Sequence, residues 1–243
     1  MKHLLSGLLA VVVILSFSSC GMNVLRGEGE IVTEMPSVTE FDAIDVSISS
    51  DINITVAEGG GHGLELRGYG NIIKHIKTEV KDKVLYIEYD LDDTWTVNEE
   101  DTQVRISVPS LKSLSLSGAP DVKIQGNVKG EEFRLDVSGA SEVIIDNINV
   151  NKFDVDMSGA SELDVKAGIV KQAAYDINGA GKVEAFPLQT EETIASISGV
   201  GEGEVTASVK LDANISGAGS VKYKGQPKVT EHISGAGSVS PAK

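Results

Sequence analysis

Carboxylates recur at fixed places in this chain. Asp136, Asp156 and Asp176 stand 20 residues apart, and Asp121, Glu142, Glu162 and Glu202 form a second series in which Lys182 takes one place. If equivalent places stack as neighbouring strands do, like charges about 4.8 Å apart repel by roughly 1 kcal/mol even in water. That cost is either tolerated on a solvated face or relieved by a cation. Calcium, which takes carboxylate oxygens, suits such a column, with Asp136, Asp156 and Asp176 as the candidate ligands. Lys182 within one series and Arg134 beside the other favour a solvated acidic face.

The remaining chemistry is sparse. His3, His62, His75 and His232 show no metal-ligand spacing, and Cys20 has no second thiol to work with. The run Gly59-Gly60-Gly61-His62-Gly63 has the glycines of a phosphate loop without its spacing or its Lys-Ser/Thr. Trp95, the sole tryptophan, lies in the acidic stretch from Asp90 to Asp101. Its indole is a candidate to stack on a sugar ring, or an apolar anchor for its own loop. No group here assembles a nucleophile with a base. The expected protein is not an enzyme, and calcium is the only cofactor its side chains suggest.

The carboxylates keep step because the whole chain does. Ser-Gly-Ala or a close variant begins at Ser117, Ser138, Ser158, Asn178, Ser198, Ser216 and Ser234, at steps of 21, 20, 20, 20, 18 and 18. A period near 20 residues is the mark of a solenoid. The places one and three before each tripeptide and five and seven after its first residue carry apolar residues in 25 of 28 cases, in a chain that is 41% apolar. Spacing of two is strand periodicity. The pattern predicts an all-β fold, a right-handed parallel β-helix with rungs of about 20 residues, each turning a corner at a glycine that tolerates positive φ.

Before Val108 the strand patterns lack the tripeptide. Phe41 to Val56 reads as an early rung with a degenerate corner, and Asn71 to Val80 holds a helical turn carrying Ile72, Ile73 and Ile76. This half is expected to cap the open end of the core, as terminal repeats must.

The N-terminus has its own logic. Lys2, the apolar run Leu4 to Phe17 and small residues before Cys20 have the layout of a secretory signal. The segment SFSSC resembles a bacterial lipoprotein signal, which makes Cys20 the acylated first residue of the mature chain and the membrane a partner through its lipid. The chain then divides into residues 1–19 as signal, 20–40 as lipidated cysteine and linker, and 41–240 as the solenoid, with 41–110 irregular and 111–240 the regular rungs. A net charge of −15 argues against nucleic acid and anionic lipid as partners.

The stretches FDAIDVSISSDINITV, IKTEVKDKVLYIEY, VRISVPSLKSLSLSGAPDV and YKGQPKVTEHISGAGSV, with the Ser-Gly-Ala corners between them, resemble the auto-transporter adhesin head GIN domain family of Bacteroidetes lipoproteins. The resemblance runs from about Phe41 to Val239 and implies a β-solenoid and an adhesin-like role. It brings no catalytic residues.

The leading expectation is therefore an exported outer-membrane lipoprotein, at the cell surface or the periplasmic face. Its solenoid would present a long surface to glycan or extracellular protein ligands, and its sheet edges leave homo-oligomers open. Two alternatives stand beside it. One is a polysaccharide-cleaving enzyme, by analogy with other β-helices, although Arg67, Arg105 and Arg134 share no corner position. The other is a purely structural envelope component.

Overall fold

The structure is a computed structural model that describes residues 23–92, 94–98 and 101–242. Cys20 and the signal segment 1–19 lie outside the described residues. What is described is a stack of β-coils of about six turns, less regular at its N-terminal end.

Each regular rung lays one strand on each of two parallel sheets. The first sheet takes the strands that run into a corner: Ser113–Gly118, Val128–Gly139, Ile148–Gly159, Gly168–Gly179 and Leu188–Gly199. The second takes the strands that leave it, among them Asp121–Gly126, Glu142–Ile145 and Glu162–Val165. Pairing is in register from rung to rung. Leu116, Val137, Met157, Ile177, Ile197 and Ile215 lie one over the next, and all are buried. So are Val122, Val143, Leu163 and Val183 on the opposite side. The alternation expected from the sequence is the alternation that fills the core.

The corner glycines carry two constraints at once. Gly139, Gly159, Gly179, Gly199 and Gly217 all have φ between +109° and +130°, where a β-carbon is strained. They also stack on one another. The amide of Ala160 donates to the carbonyl of Gly139 at 2.8 Å, and that of Ala180 to Gly159 at 2.9 Å. A β-carbon at Gly159 would lie 2.2 Å from the Gly139 oxygen. Glycine is needed for the turn and again for the pile of turns.

Where the step shortens to 18, the turn at Phe186-Pro187 has no counterpart in the following rung. The strand Glu202–Gly217 instead runs unbroken from the second sheet to the first, with a register shift between Thr190 and Glu192. Thr206 and Ser208 hydroxyls donate to the carbonyls of Phe186 and Thr190 there, at 2.8 and 3.0 Å. The polar atoms freed by the shift are thereby satisfied.

The first half is threaded out of chain order. Ala43–Val46 pairs on one side with Ser113–Gly118 and on the other with Val84–Tyr89. Asp51–Val56 lies likewise between Asp121–Gly126 and Gln103–Val108. The early rung is thus real but sits inside the stack, and later residues form the rung before it. Antiparallel strands close the end: Ile76–Lys81 on the first sheet, Gly63–Tyr69 and Ile31–Glu34 on the second. The expected helical turn is Gly70–Ile73, with Ile72 and Ile73 buried, but Ile76, expected on the same turn, instead begins the strand Ile76–Lys81. The stretch 20–40, read from sequence as a linker, contains two strands, Asn23–Leu25 and Ile31–Glu34. The first of these pairs with Trp95–Val97 as a separate two-stranded ribbon.

Candidate functional site

The outward side of the first sheet is a continuous polar face. Register places Asp45, Ser115, Asp136, Asp156, Asp176, Ser196, Asn214 and His232 in one column. A second column of corner residues runs beside it through Ser138, Ser158 and Asn178. Shallow depressions follow the two columns, one between Asp45 and Ser158, another around Asp176, Ser198 and His232. The carboxylates expected to stack do stack, because every strand that carries them keeps one register.

Part of their charge is met from within the protein. Arg134 grips Asp136 through two bonds, Nε to Oδ2 at 2.8 Å and Nη2 to Oδ1 at 2.7 Å. Asp136, with Asp156 and Asp154 behind it, raises the Arg134 guanidinium above its ordinary range. Asp176 accepts from Asn178 Nδ2 at 3.0 Å. The second acidic series is answered by Lys182, whose ammonium pairs with Glu162 at 3.3 Å and with Glu184; Glu184 and Glu162 raise it. Among the described residues no group of three or more His, Cys, Asp or Glu side chains is placed to hold a metal ion.

Asp45, at the head of the column, behaves differently. Burial first, and then Glu88, push its carboxyl above the ordinary aspartate value.

A second polar surface was not foreseen in the sequence. A recess of about 560 Å³ opens on the outward side of the second sheet near the cap. Asn53, Thr55, Glu65, Gln103, Arg105 and Gln125 contribute its polar groups. Arg105 Nη1 donates to Glu65 Oε1 at 2.6 Å, so donors and acceptors face the opening as a neutral pair. The recess exists because Gly63 and Ser107, side by side in the antiparallel pairing, leave room that larger side chains would fill. Its residues come from strands that meet only through the out-of-order stacking, so no local motif announces it.

Trp95 is apart from both surfaces. It lies on the small ribbon beside Asn23 and is 42% exposed. His62 serves the fold, its Nε2 at 2.9 Å from the Phe41 carbonyl and its ring edge-on to Phe41. Arg67, Arg105 and Arg134 line different surfaces or none in common.

The comparisons agree with this architecture. A family model described as "Putative auto-transporter adhesin, head GIN domain" matches residues 40–227. The solved structure of a "putative adhesin" from Bacteroides fragilis is similar over 90% of this chain and 100% of its own, with 27% identity and a TM-score of 0.83. One from Parabacteroides distasonis covers the same shares at 23% identity and a TM-score of 0.71. Another, from Parabacteroides merdae, covers 91% of this chain and 100% of its own at 21% identity and a TM-score of 0.72. No curated protein matches the chain.

Proposed function

From the premise that this chain belongs to the auto-transporter adhesin head GIN domain family, we propose that it is a lipid-anchored, non-catalytic binding module of the cell envelope. Its ligand is a glycan or an extracellular protein, taken up along the side of the solenoid. The anchor is an acylated Cys20, and the location is the outer membrane.

One observation carries this reading: the first sheet offers hydroxyl, carboxylate and amide groups in register from Asp45 to His232, with the strands rather than long loops as their support. Repeated polar groups at the interstrand spacing suit an extended ligand with repeated polar groups of its own. A rigid platform also spares the entropy that mobile loops lose on binding. The adhesin-like character of the family supports the same reading. The groups that β-elimination needs, a base among charge stabilisers in one groove, are not assembled on the face as described: Arg134 is already taken by Asp136.

The test is a binding screen of the protein against glycan arrays and extracellular matrix proteins, repeated with Asp156→Arg plus Ser158→Lys on the face and with Asn53→Lys in the recess. Loss of binding with the first pair locates the ligand on the first sheet. Loss only with Asn53→Lys moves it to the recess, and silence across both screens removes the adhesin reading.

A further inference from the structure

The ribbon that joins Asn23–Leu25 to Trp95–Val97 is the least explained part of the fold. Its two strands pair in parallel, Asn23 opposite Trp95 and Leu25 opposite Val97. Hydrogen bonds from Asn23 N to Thr94 O at 3.0 Å and from Asn98 N to Leu25 O at 2.9 Å close its ends. The turn into it is fixed by the Asp92 carboxylate, which accepts the Thr94 amide at 2.9 Å. A ribbon this short has little stability alone in water.

Its apolar side chains do not contribute to the core. Val24, Leu25, Trp95 and Val97 are absent from the contiguous buried cluster that fills the solenoid and from the residues packed against it. Alternation puts Trp95, Leu25 and Val97 on one side of the ribbon. Trp95 is 42% exposed, and Val24 on the other side is 48% exposed. Ile31, on the outermost strand of the second sheet at the same capped end, is 42% exposed. An indole with an apolar body and one donor is the side chain best suited to a membrane–water interface.

The position of Cys20 decides what covers this patch. Asn23 lies three residue steps beyond Cys20, and an extended chain advances no more than about 3.6 Å per residue, so Asn23 stays within roughly 11 Å of the cysteine. Trp95 is one strand further, about 4.8 Å. An acyl anchor at Cys20 holds that residue at the headgroup level, and the headgroup layer itself is several ångströms thick. The tether alone brings the ribbon to the lipid surface.

We propose that the Asn23–Leu25/Trp95–Val97 ribbon is a membrane-docking patch, with Trp95 seated in the headgroup layer of the bilayer that holds the acylated Cys20. The inference rests on the Cys20 anchor of the proposed function, not on the identity of the ligand. The solenoid then stands with its capped end on the membrane and its last rungs outermost. In sequence, Asp90, Asp92, Asp93, Glu99, Glu100 and Asp101 flank Trp95–Val97, and Arg26 follows Leu25, so the attraction is apolar and favours zwitterionic over anionic lipid.

Trp95 is the only tryptophan in the chain, so its fluorescence reports this site alone. The full chain, exported with its own leader and acylated, is reconstituted on phosphatidylcholine vesicles and compared with the chain from Gly21 onward in buffer, which keeps every described residue. The expected result is co-flotation with the vesicles, a blue-shifted Trp95 emission, a several-fold fall in iodide quenching and strong quenching by bromine-labelled phosphatidylcholine. Including phosphatidylglycerol at low salt weakens all three optical changes. Co-flotation with Trp95 emission and iodide access unchanged overturns the docking patch and leaves the anchor standing. Failure to co-float removes the anchor, and the docking patch with it.

Discussion

At the scale of single residues the corner glycine is the most constrained position. Gly159 combines φ of +109° with a neighbour 2.2 Å from where a β-carbon would go. Gly159→Ala should cost about 3 kcal/mol or more, from backbone strain with the clash added. Ala160→Ser, on an exposed neighbour, should stay within about 0.5 kcal/mol. Urea unfolding of the two variants measures both, and equal midpoints would refute the stacked corner. Asp45 makes a prediction in pH. Its carboxyl is raised above the ordinary 3.8 by burial and by Glu88, so the folded state holds this proton more tightly than the unfolded chain does. Its contribution to stability is complete below 3.8 and is lost as pH rises through the raised value. Asp45→Asn should flatten that limb and leave the protein more stable at neutral pH, as denaturant midpoints across the acid range would record. Arg134 is a weaker lever. Its pair with Asp136 is half exposed, so Arg134→Gln should change stability by less than about 1 kcal/mol, and the difference should vanish in high salt.

At the scale of the strand, the core is a set of columns, and the sequence disclosed some better than others. The positions one and three before each corner, and five and seven after, were legible because Leu, Val, Ile and Met recur there. Two further inward columns were not. One runs three residues after each corner serine, through Ser141, Ser161, Gly181, Gly201 and Gly219; there Ser141 and Ser161 are 3% and 2% exposed, and β-carbons at Gly201 and Gly219 would meet Ile177 and Ile197 at 2.8 and 2.6 Å. Small residues read as turn residues, although here they make room for the isoleucines behind them. The other runs through Phe133, Phe153, Ala173 and Thr193, too mixed to show a period. Its rings start an aromatic ladder that crosses columns: Phe133 and Phe153 stack at 5.7 Å, and Tyr175, from the adjoining column of Leu135 and Val155, meets Phe153 edge-on at 6.0 Å. Removing its middle member by Phe153→Ala should cost about 3–5 kcal/mol, whereas Ile169→Ser, at a site 67% exposed, should be nearly silent. Thermal unfolding separates the two, and similar losses would show that the ladder is not what holds these rungs together.

At the scale of the molecule, register did what the repeat promised and order did not. The corners of 111–240 stack as they follow in the chain, because each is the best partner of the next. The strands of 41–110 carry no tripeptide to fix their neighbours, so nothing local shows that 84–108 belongs before 43–56, and the recess formed there was invisible for the same reason. The far end of the stack has a different character. The core column of Leu135, Val155, Tyr175, Ala195 and Ala213 is continued in register by Glu231, and that of Val205 and Tyr223 by Pro241. A charge in the inward register but exposed at the end of the stack, and a proline on the edge, both discourage another strand from adding. Glu231→Leu with Pro241→Val should therefore promote end-to-end pairs of this chain, seen as concentration-dependent mass in analytical ultracentrifugation; a strictly monomeric double variant would deny these residues that part. The interleaved start has the opposite effect on the other end. A ribbon wound in simple succession can be peeled from its free tip one coil at a time, but Ala43–Val46 is clasped between Val84–Tyr89 and Ser113–Gly118. A pull on the leading end that reaches this strand must therefore break both neighbours together, so the coil is knotted in effect, though not in topology, at that end.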